Sequence, residues 1–243
     1  MLRAVKDTLR DAFPGLWVKY HEYKRSYVEP EVAMLPRVLP SCRTAIDVGA
    51  NIGVYTRALA GIANRVHSFE PHPTASRILR HTCPKNVTVH QTALSDRVGS
   101  GTLSAPAATD GRITHGLASL EERPDAGDLQ KLSVPTSTVD SFEFPDVDFV
   151  KIDVEGHELK VLDGAVSTIG RDRPTFLIEC EDKYNKGGVQ RMFQFFTERG
   201  YAGRFIYQGE VLDADRFELA KHQGEWGHNY VYNFFFFPGR PLI

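Results

Sequence analysis

Carboxylates recur where short apolar runs end, and glycines stand beside the first of them. Asp47 lies in Ile46-Asp47-Val48 and is followed by Gly49-Ala50-Asn51-Ile52-Gly53. A glycine turn of this kind lets a ligand approach the backbone closely and places it at the N-terminus of the next helix. A dinucleotide fingerprint carries glycine where Asn51 stands and usually no strand-end carboxylate, because Asp47 would repel a pyrophosphate. The same carboxylate attracts a sulfonium, which favours S-adenosylmethionine over NAD. Glu70, twenty-three residues after Asp47 in Ser68-Phe69-Glu70-Pro71, is spaced to accept both hydroxyls of an adenosyl ribose.

A second set of acids has acceptor chemistry. Asp153, Glu155 and Glu158 follow the run Val150-Lys151-Ile152, with His157 among them. Open α/β sheets bind ligands at the carboxyl ends of their strands. A hydroxyl that attacks a methyl carbon must lose its proton, so a base or a metal-bound alkoxide is needed. Histidine ordinarily titrates near neutrality, which makes His157 the preferred base, with Asp153 and Glu155 as further catalytic candidates. Lys151 points to the opposite strand face from Ile152, a structural placement. Glu179-Cys180-Glu181-Asp182 closes the next apolar run, 28 residues separating Asp153 from Glu181. One strand–helix–strand unit of that length brings Asp153, Glu181 and Asp182 together as oxygen ligands suited to Mg²⁺ or Ca²⁺. The alternative is a solvated acidic turn. Residues 115–119 (His115-Gly116-Leu117-Ala118-Ser119) and His228-Asn229 are weaker acceptor-side candidates, since loop residues of these types are common.

The elements that must position these groups alternate in type. Strands are expected at residues 44–48, 65–69, 87–91, 147–152 and 175–180, and helices at 53–60, 74–82, 157–169 and 189–199. That alternation is the pattern of a mostly parallel α/β sheet. After Gly200 the runs 201–207, 211–212 and 230–237 are joined by a Gln208-Gly209 turn and one short helix, which predicts an antiparallel C-terminal edge. The aromatic run at 230–237 reads as a strand buried on both faces. Residues 99–104 and 130–135 could pair, and between them 105–128 lacks periodicity, as a lid or acceptor-binding loop would. Residues 1–40 read as an N-terminal helical appendage and 41–243 as the ligand-binding domain.

Composition narrows the class. The chain has 243 residues, 29 basic and 31 acidic, a net charge of −2. No broad phosphate-neutralising surface is implied, which argues against nucleic acid as a partner. Cys42, Cys83 and Cys180 are odd in number and far apart, so neither a disulfide framework nor a thiolate zinc site is indicated. Residues 1–25 carry six basic and three acidic residues without a long apolar core, unlike a secretory signal. The longest apolar run, 234–237, is too short to span a bilayer. A cytoplasmic protein without membrane partners is expected.

In this order, Tyr27-Val28-Glu29-Pro30, residues 46–53, Phe69-Glu70-Pro71, Ala93-Leu94-Ser95-Asp96 and residues 150–158 resemble the successive motifs of FkbM-type class I methyltransferases. The resemblance covers about residues 27–238. It implies a Rossmann-like, seven-stranded, mostly parallel sheet and S-adenosylmethionine-dependent O-methylation by SN2 transfer. The acceptor would be a sugar, oligosaccharide, polyketide or related natural-product hydroxyl. On this reading Asp47, Gly49, Asn51, Gly53, Tyr55, Glu70, Ala93, Leu94 and Asp153 hold the cofactor. The acids after the fourth and fifth strands are similar to those of metal-dependent sugar and macrolide O-methyltransferases, which implies Mg²⁺ at Asp153, Glu181 and Asp182. A nucleic-acid methyltransferase would share the cofactor half. This chain, however, has Asp153-Val154-Glu155-Gly156 in place of an Asn/Asp-Pro-Pro-aromatic motif, and Cys83-Pro84 reverses the Pro-Cys order. A non-catalytic adenosyl-binding protein would have no use for the concentrated acids. A homodimer through the N-terminal segment is compatible with the sequence.

Overall fold

A computed structural model describes residues 29–106, 118–121, 129–225, 227 and 229–239. Most of the segment 1–40, most of the loop 105–128, and His115 and His228 lie outside the described residues. In chain order, α1 (Pro30–Val38), β1 (Cys42–Val48), α2 (Val54–Ala60), β2 (Ala63–Phe69), α3 (Pro73–Thr82) and β3 (Val87–His90) build the first part of the main sheet. β4 (Ala93–Leu94), β5 (Gly99–Pro106) and β6 (Leu129–Ser137) form a separate small sheet. The second part comprises β7 (Val147–Ile152), α4 (Glu158–Asp163), α5 (Val166–Asp172), β8 (Thr175–Glu179) and α6 (Gly188–Thr197). β9 (Tyr201–Tyr207), β10 (Glu210–Asp213), α7 (Leu219–His222) and β11 (Asn233–Pro238) complete it.

The main sheet runs β10-β9-β11-β8-β7-β1-β2-β3. Strands β3, β2, β1, β7 and β8 are parallel, and β11 is antiparallel to both β8 and β9. The antiparallel edge is thus present, with eight strands where seven were expected. The eighth is β10: Gln208 and Gly209 both take positive φ, 53° and 82°, and close a two-residue hairpin onto β9. β5 and β6 pair antiparallel, Leu103 opposite Leu132, as their alternating sequences suggested.

Helices cover both faces, which is why central strands are apolar on both sides. On one face Ile46, Val150, Ile152 and Ile178 pack with Leu162, Ile169, Met192 and Phe196. On the other, Ala45, Phe149 and Leu177 pack with Leu35, Tyr55 and Leu59. β11 serves both layers: Phe234 and Phe236 enter the first core, Phe235 and Phe237 the second. Core packing therefore accounts for the phenylalanine run, with Phe236 stacked 3.9 Å from Phe196.

The helix expected over 157–169 is broken in two. Gly164 passes so close to the β4 exit that a Cβ on it would lie 2.0 Å from the Ser95 carbonyl oxygen. Asp140 then caps the new N-terminus, accepting from the Ser167 and Thr168 amides at 2.9 and 2.8 Å. A cap 28 residues distant leaves no local sequence signal.

His67 on β2 stacks on Phe144 at 4.0 Å and lies 3.3 Å from the His90 ring nitrogen. Burial pulls His67 down to about 4 and also lowers His90. Both bind protons more weakly in the fold than in the unfolded chain, where histidine titrates near ~6.5. Their contribution to stability is therefore lost as pH falls from about 6.5 toward 4. Urea midpoints measured across this window should drop toward acid, and His67→Leu should flatten the slope.

Candidate active site

β1 connects toward β2 on one side while β7 lies on its other side, so a crevice opens at the carboxyl ends of β1 and β7. The cleft there has a volume of about 690 Å³, including its open mouth. Its near wall is formed by Gly49, Asn51 and Glu70, its apolar slot by Phe69, Pro71, Ala93, Leu94 and Leu103. Asp153, Glu155, His157 and Glu179 line the far end.

The glycine turn is dictated by a close backbone crossing. The Gly49 and Ala50 amides both donate to the Phe69 carbonyl at 3.0 Å, and the Asp153 amide donates to Val48 O at 3.0 Å. Gly49 sits at φ 79°, and a Cβ there would be 1.8 Å from the Asp153 carbonyl oxygen. Only glycine meets both demands.

Glu70 is held by two amides, Asn51 N–H at 2.8 Å and His72 N–H at 2.7 Å, one to each carboxylate oxygen. Each oxygen keeps a lone pair for a ligand hydroxyl. Burial raises its pKa to about 7, against the opposing pull of the two amides. Asp47 is placed otherwise. It is buried behind the turn, accepting from Thr56 Oγ1 at 2.5 Å, with Thr56 Oγ1 also 2.9 Å from Ser68 Oγ. Burial raises Asp47 to about 6. Its contact ties the first turn of α2 to the strand ends. Tyr55 faces the second core, its ring 4.9 Å from Lys151 Nζ, and Gly53 abuts Leu79 and Arg57. Of the residues expected to hold a cofactor, Gly49, Asn51, Glu70, Ala93, Leu94 and Asp153 line the cleft, while Asp47, Gly53 and Tyr55 stand behind its wall.

The acidic end is composed differently from the set expected from spacing. Asp153, Glu155 and Glu179 bring carboxylate oxygens within 4.8 Å of one another, close enough to share one cation. Strand register explains the choice. Ile152 pairs with Ile178, so the next residues of β7 and β8, Asp153 and Glu179, are level. Burial and the neighbouring Asp153 charge hold Glu179 well above the ordinary carboxylate range. Glu181 instead pairs with Lys183 Nζ at 2.6 Å, and with Asp153, Glu155 and Glu179 it lines a smaller pocket adjoining the cleft. Asp182 accepts from the Gly187 amide at 2.8 Å, where it shapes the entry to α6. Glu158 turns back to the Gly156 amide at 2.7 Å, and burial raises it to about 7.

His157 is buried and lines the cleft with both ring nitrogens engaged. Nδ1 lies 2.7 Å from Glu121 Oε1 and Nε2 lies 2.9 Å from Ser95 Oγ. Lys151, fully buried, donates to the Ile152 carbonyl at 3.1 Å. Ser119 reaches the site through its Oγ, which donates to Glu155 O at 2.8 Å, and Ala118 joins it on the cleft wall. Sequence reasoning missed Glu121, and named Glu179 only within the acidic run 179–182 and Ser95 only within the motif 93–96. The paired runs ending Ile152-Asp153 and Ile178-Glu179 carried the signal for Glu179. Glu121 had none.

A Gly-turn at the β1 end, a doubly bonded acid after β2 and a mostly parallel sheet with antiparallel C-terminal strands define a Rossmann-like S-adenosylmethionine-dependent methyltransferase. Residues 47–202 match the Methyltransferase FkbM domain, and the chain belongs to that family. A curated relative, hexuronic acid methyltransferase AglP of Haloferax volcanii, is 34% identical over 130 residues, 51% of this chain and 50% of the relative. The chain therefore matches only about half the length of that relative. The crystal structure of methyltransferase FkbM from Methylobacillus flagellatus aligns with TM-score 0.53 at 15% identity, over 81% of this chain and 44% of that one. An rRNA methylase from Streptococcus thermophilus aligns with TM-score 0.52 at 10% identity, over 88% and 96%. These two likenesses concern the fold alone. No helix among the described residues is long and apolar enough to cross a membrane.

Gly49→Ala should weaken binding of S-adenosylhomocysteine at least about tenfold, because the added methyl forces β1 and β7 apart. Isothermal calorimetry measures this directly. A Glu70 that accepts ligand hydroxyls must be ionised, so affinity for S-adenosylhomocysteine should fall as pH drops below about 7. Glu70→Gln should be weaker throughout and flatter across pH 6–8 in the same titration.

Proposed function

We propose that the chain transfers a methyl group to a hydroxyl of a saccharide acceptor, natural-product alcohols being the wider class. The observation that carries this reading is the gathering of Asp153, Glu155 and Glu179 within 4.8 Å at the far end of the cleft. S-adenosylmethionine supplies an electrophilic methyl on a sulfonium sulfur. The slot of Phe69, Ala93, Leu94 and Leu103 takes its flat base, and Glu70 takes its ribose hydroxyls. Carboxylates at the opposite end favour the sulfonium charge and accept hydrogen bonds from a polyol.

Two or three acceptor oxygens on one sugar ring can each find a carboxylate there, which orients one oxygen lone pair toward the methyl carbon. As the C–O bond forms and the S–C bond breaks, the hydroxyl proton must leave. Glu179 is the base this geometry favours, because burial beside Asp153 raises its proton affinity and His157 has both nitrogens engaged. With Mg²⁺ in place the same trio would instead act as its oxygen ligands, and the ion rather than Glu179 would lower the pKa of the bound hydroxyl. The relative named for hexuronic acid supports a sugar acceptor.

Radiolabelled transfer from S-adenosylmethionine to a panel of neutral glycosides, uronic acids and polyketide alcohols tests the reading. Label should enter saccharide hydroxyls, and Glu179→Gln should lower kcat by about a hundredfold or more. EDTA treatment followed by Mg²⁺ should abolish and restore turnover. Label entering oligonucleotides and no saccharide would overturn the assignment; a rate indifferent to EDTA would remove the metal from it.

A further inference from the structure

Residues 118–121 cross from the small sheet to the loop after β7 and contribute Ala118, Ser119 and Leu120 to the cleft wall. At one end Ser119 exchanges two backbone hydrogen bonds with Ser104 of β5, at 2.8 and 2.9 Å. Leu120 packs there with Ala93, Leu103 and Val134. At the other end Ser119 Oγ donates to the Glu155 carbonyl at 2.8 Å, and Glu121 Oε1 meets His157 Nδ1 at 2.7 Å. Lys160 Nζ lies 3.4 Å from the same Glu121 oxygen. His157 is held in turn by Ser95 Oγ at 2.9 Å, at the end of β4. Four residues thereby join the small sheet to the acid-bearing loop, and their charged anchor is one carboxylate.

We propose that Glu121 is a positioning residue whose clamp on His157 holds the 118–121 segment in place as the outer wall of the adenine slot. This rests on the reading of the cleft as the S-adenosylmethionine site. The slot is apolar on its inner side through Phe69 and Pro71 and on its outer side through Ala93, Leu94, Leu103, Ala118 and Leu120. Ala93, Leu94 and Leu103 belong to strands, whereas Ala118 and Leu120 are held through Ser119 and the Glu121 anchor. The hydrogen bond from His157 and the nearby Lys160 charge hold the Glu121 carboxyl below its ordinary range, as an engaged anion requires. Glu70 and the glycine turn grip the ribose without help from this segment. Loss of the clamp thus opens the base slot and spares the ribose contacts.

The test compares the full chain with Glu121→Gln and Glu121→Asp, using S-adenosylhomocysteine as the calorimetric probe and hydrogen exchange as an independent readout. Glu121→Gln should raise Kd about tenfold, as loss of a charge-assisted contact does, and Glu121→Asp should restore part of it. Amide exchange at Ser104 and Ser119 should accelerate in Glu121→Gln while the strands of the main sheet keep their protection. Unchanged affinity together with unchanged exchange at these amides would overturn the proposal. So would acceleration spread evenly over the chain, which assigns Glu121 to general stability. A wild-type chain that fails to bind the probe would sink the cofactor reading instead, and the exchange comparison would still decide the clamp.

Discussion

Everything at the site depends on the near-contact of two strand ends, β1 at Gly49 and β7 at Asp153. The backbone of one turn passes the carbonyl of the other with no space for a Cβ, 1.8 Å being the separation it would have. That crossing lets the strand ends lie level and opens the crevice beside them. Glu70 and Asp153, which follow β2 and β7, both line that crevice.

Burial of carboxylates is the main energetic tension in the molecule. Glu70, Asp47, Glu158 and Glu179 are all pushed above their ordinary range by desolvation. Three of these acids have a neighbour that limits the cost: amides for Glu70 and Glu158, a hydroxyl for Asp47. Glu179 has Asp153 beside it, a like charge that worsens the burden. Such an arrangement weakens the free protein and favours whatever positive or proton-donating group enters the cleft. The positive sulfonium of S-adenosylmethionine meets that description.

The small sheet and residues 118–121 add a second constraint. β4 closes the apolar slot from the side, and its exit at Ser95 reaches both Gly164 and His157. The end of one short strand therefore crowds Gly164, steadies a cleft histidine through Ser95 and lines the cleft with Ala93 and Leu94. The break at Gly164 is part of this arrangement, since a side chain at that position would collide with the Ser95 carbonyl.

Strand and helix types, the glycine turn, Glu70 and the acids after β7 were legible in the sequence because each depends on residues close along the chain. Periodicity marks a buried strand, and a glycine marks a turn that no other residue can make. The antiparallel edge was legible for the same reason, through the turn at Gln208-Gly209. The composition of the acidic group was not. Spacing alone offered Glu181 and Asp182, whereas the register of β7 against β8 selects Glu179, and a shift of one residue would have turned it to the other face. Asp47, assigned to the ligand by its charge, and Gly53 and Tyr55, assigned by the resemblance, do not line the cleft, because packing buries Asp47 against Thr56, sets Gly53 against Leu79 and turns Tyr55 into the second core. Glu121 meets His157 across 36 positions of chain, a contact made by folding two sheets together. The sequence by itself determined which chemistry is present and at which strand ends. Only the tertiary structure decided which side chains share a pocket, because register, packing and desolvation act between segments that carry no local record of one another.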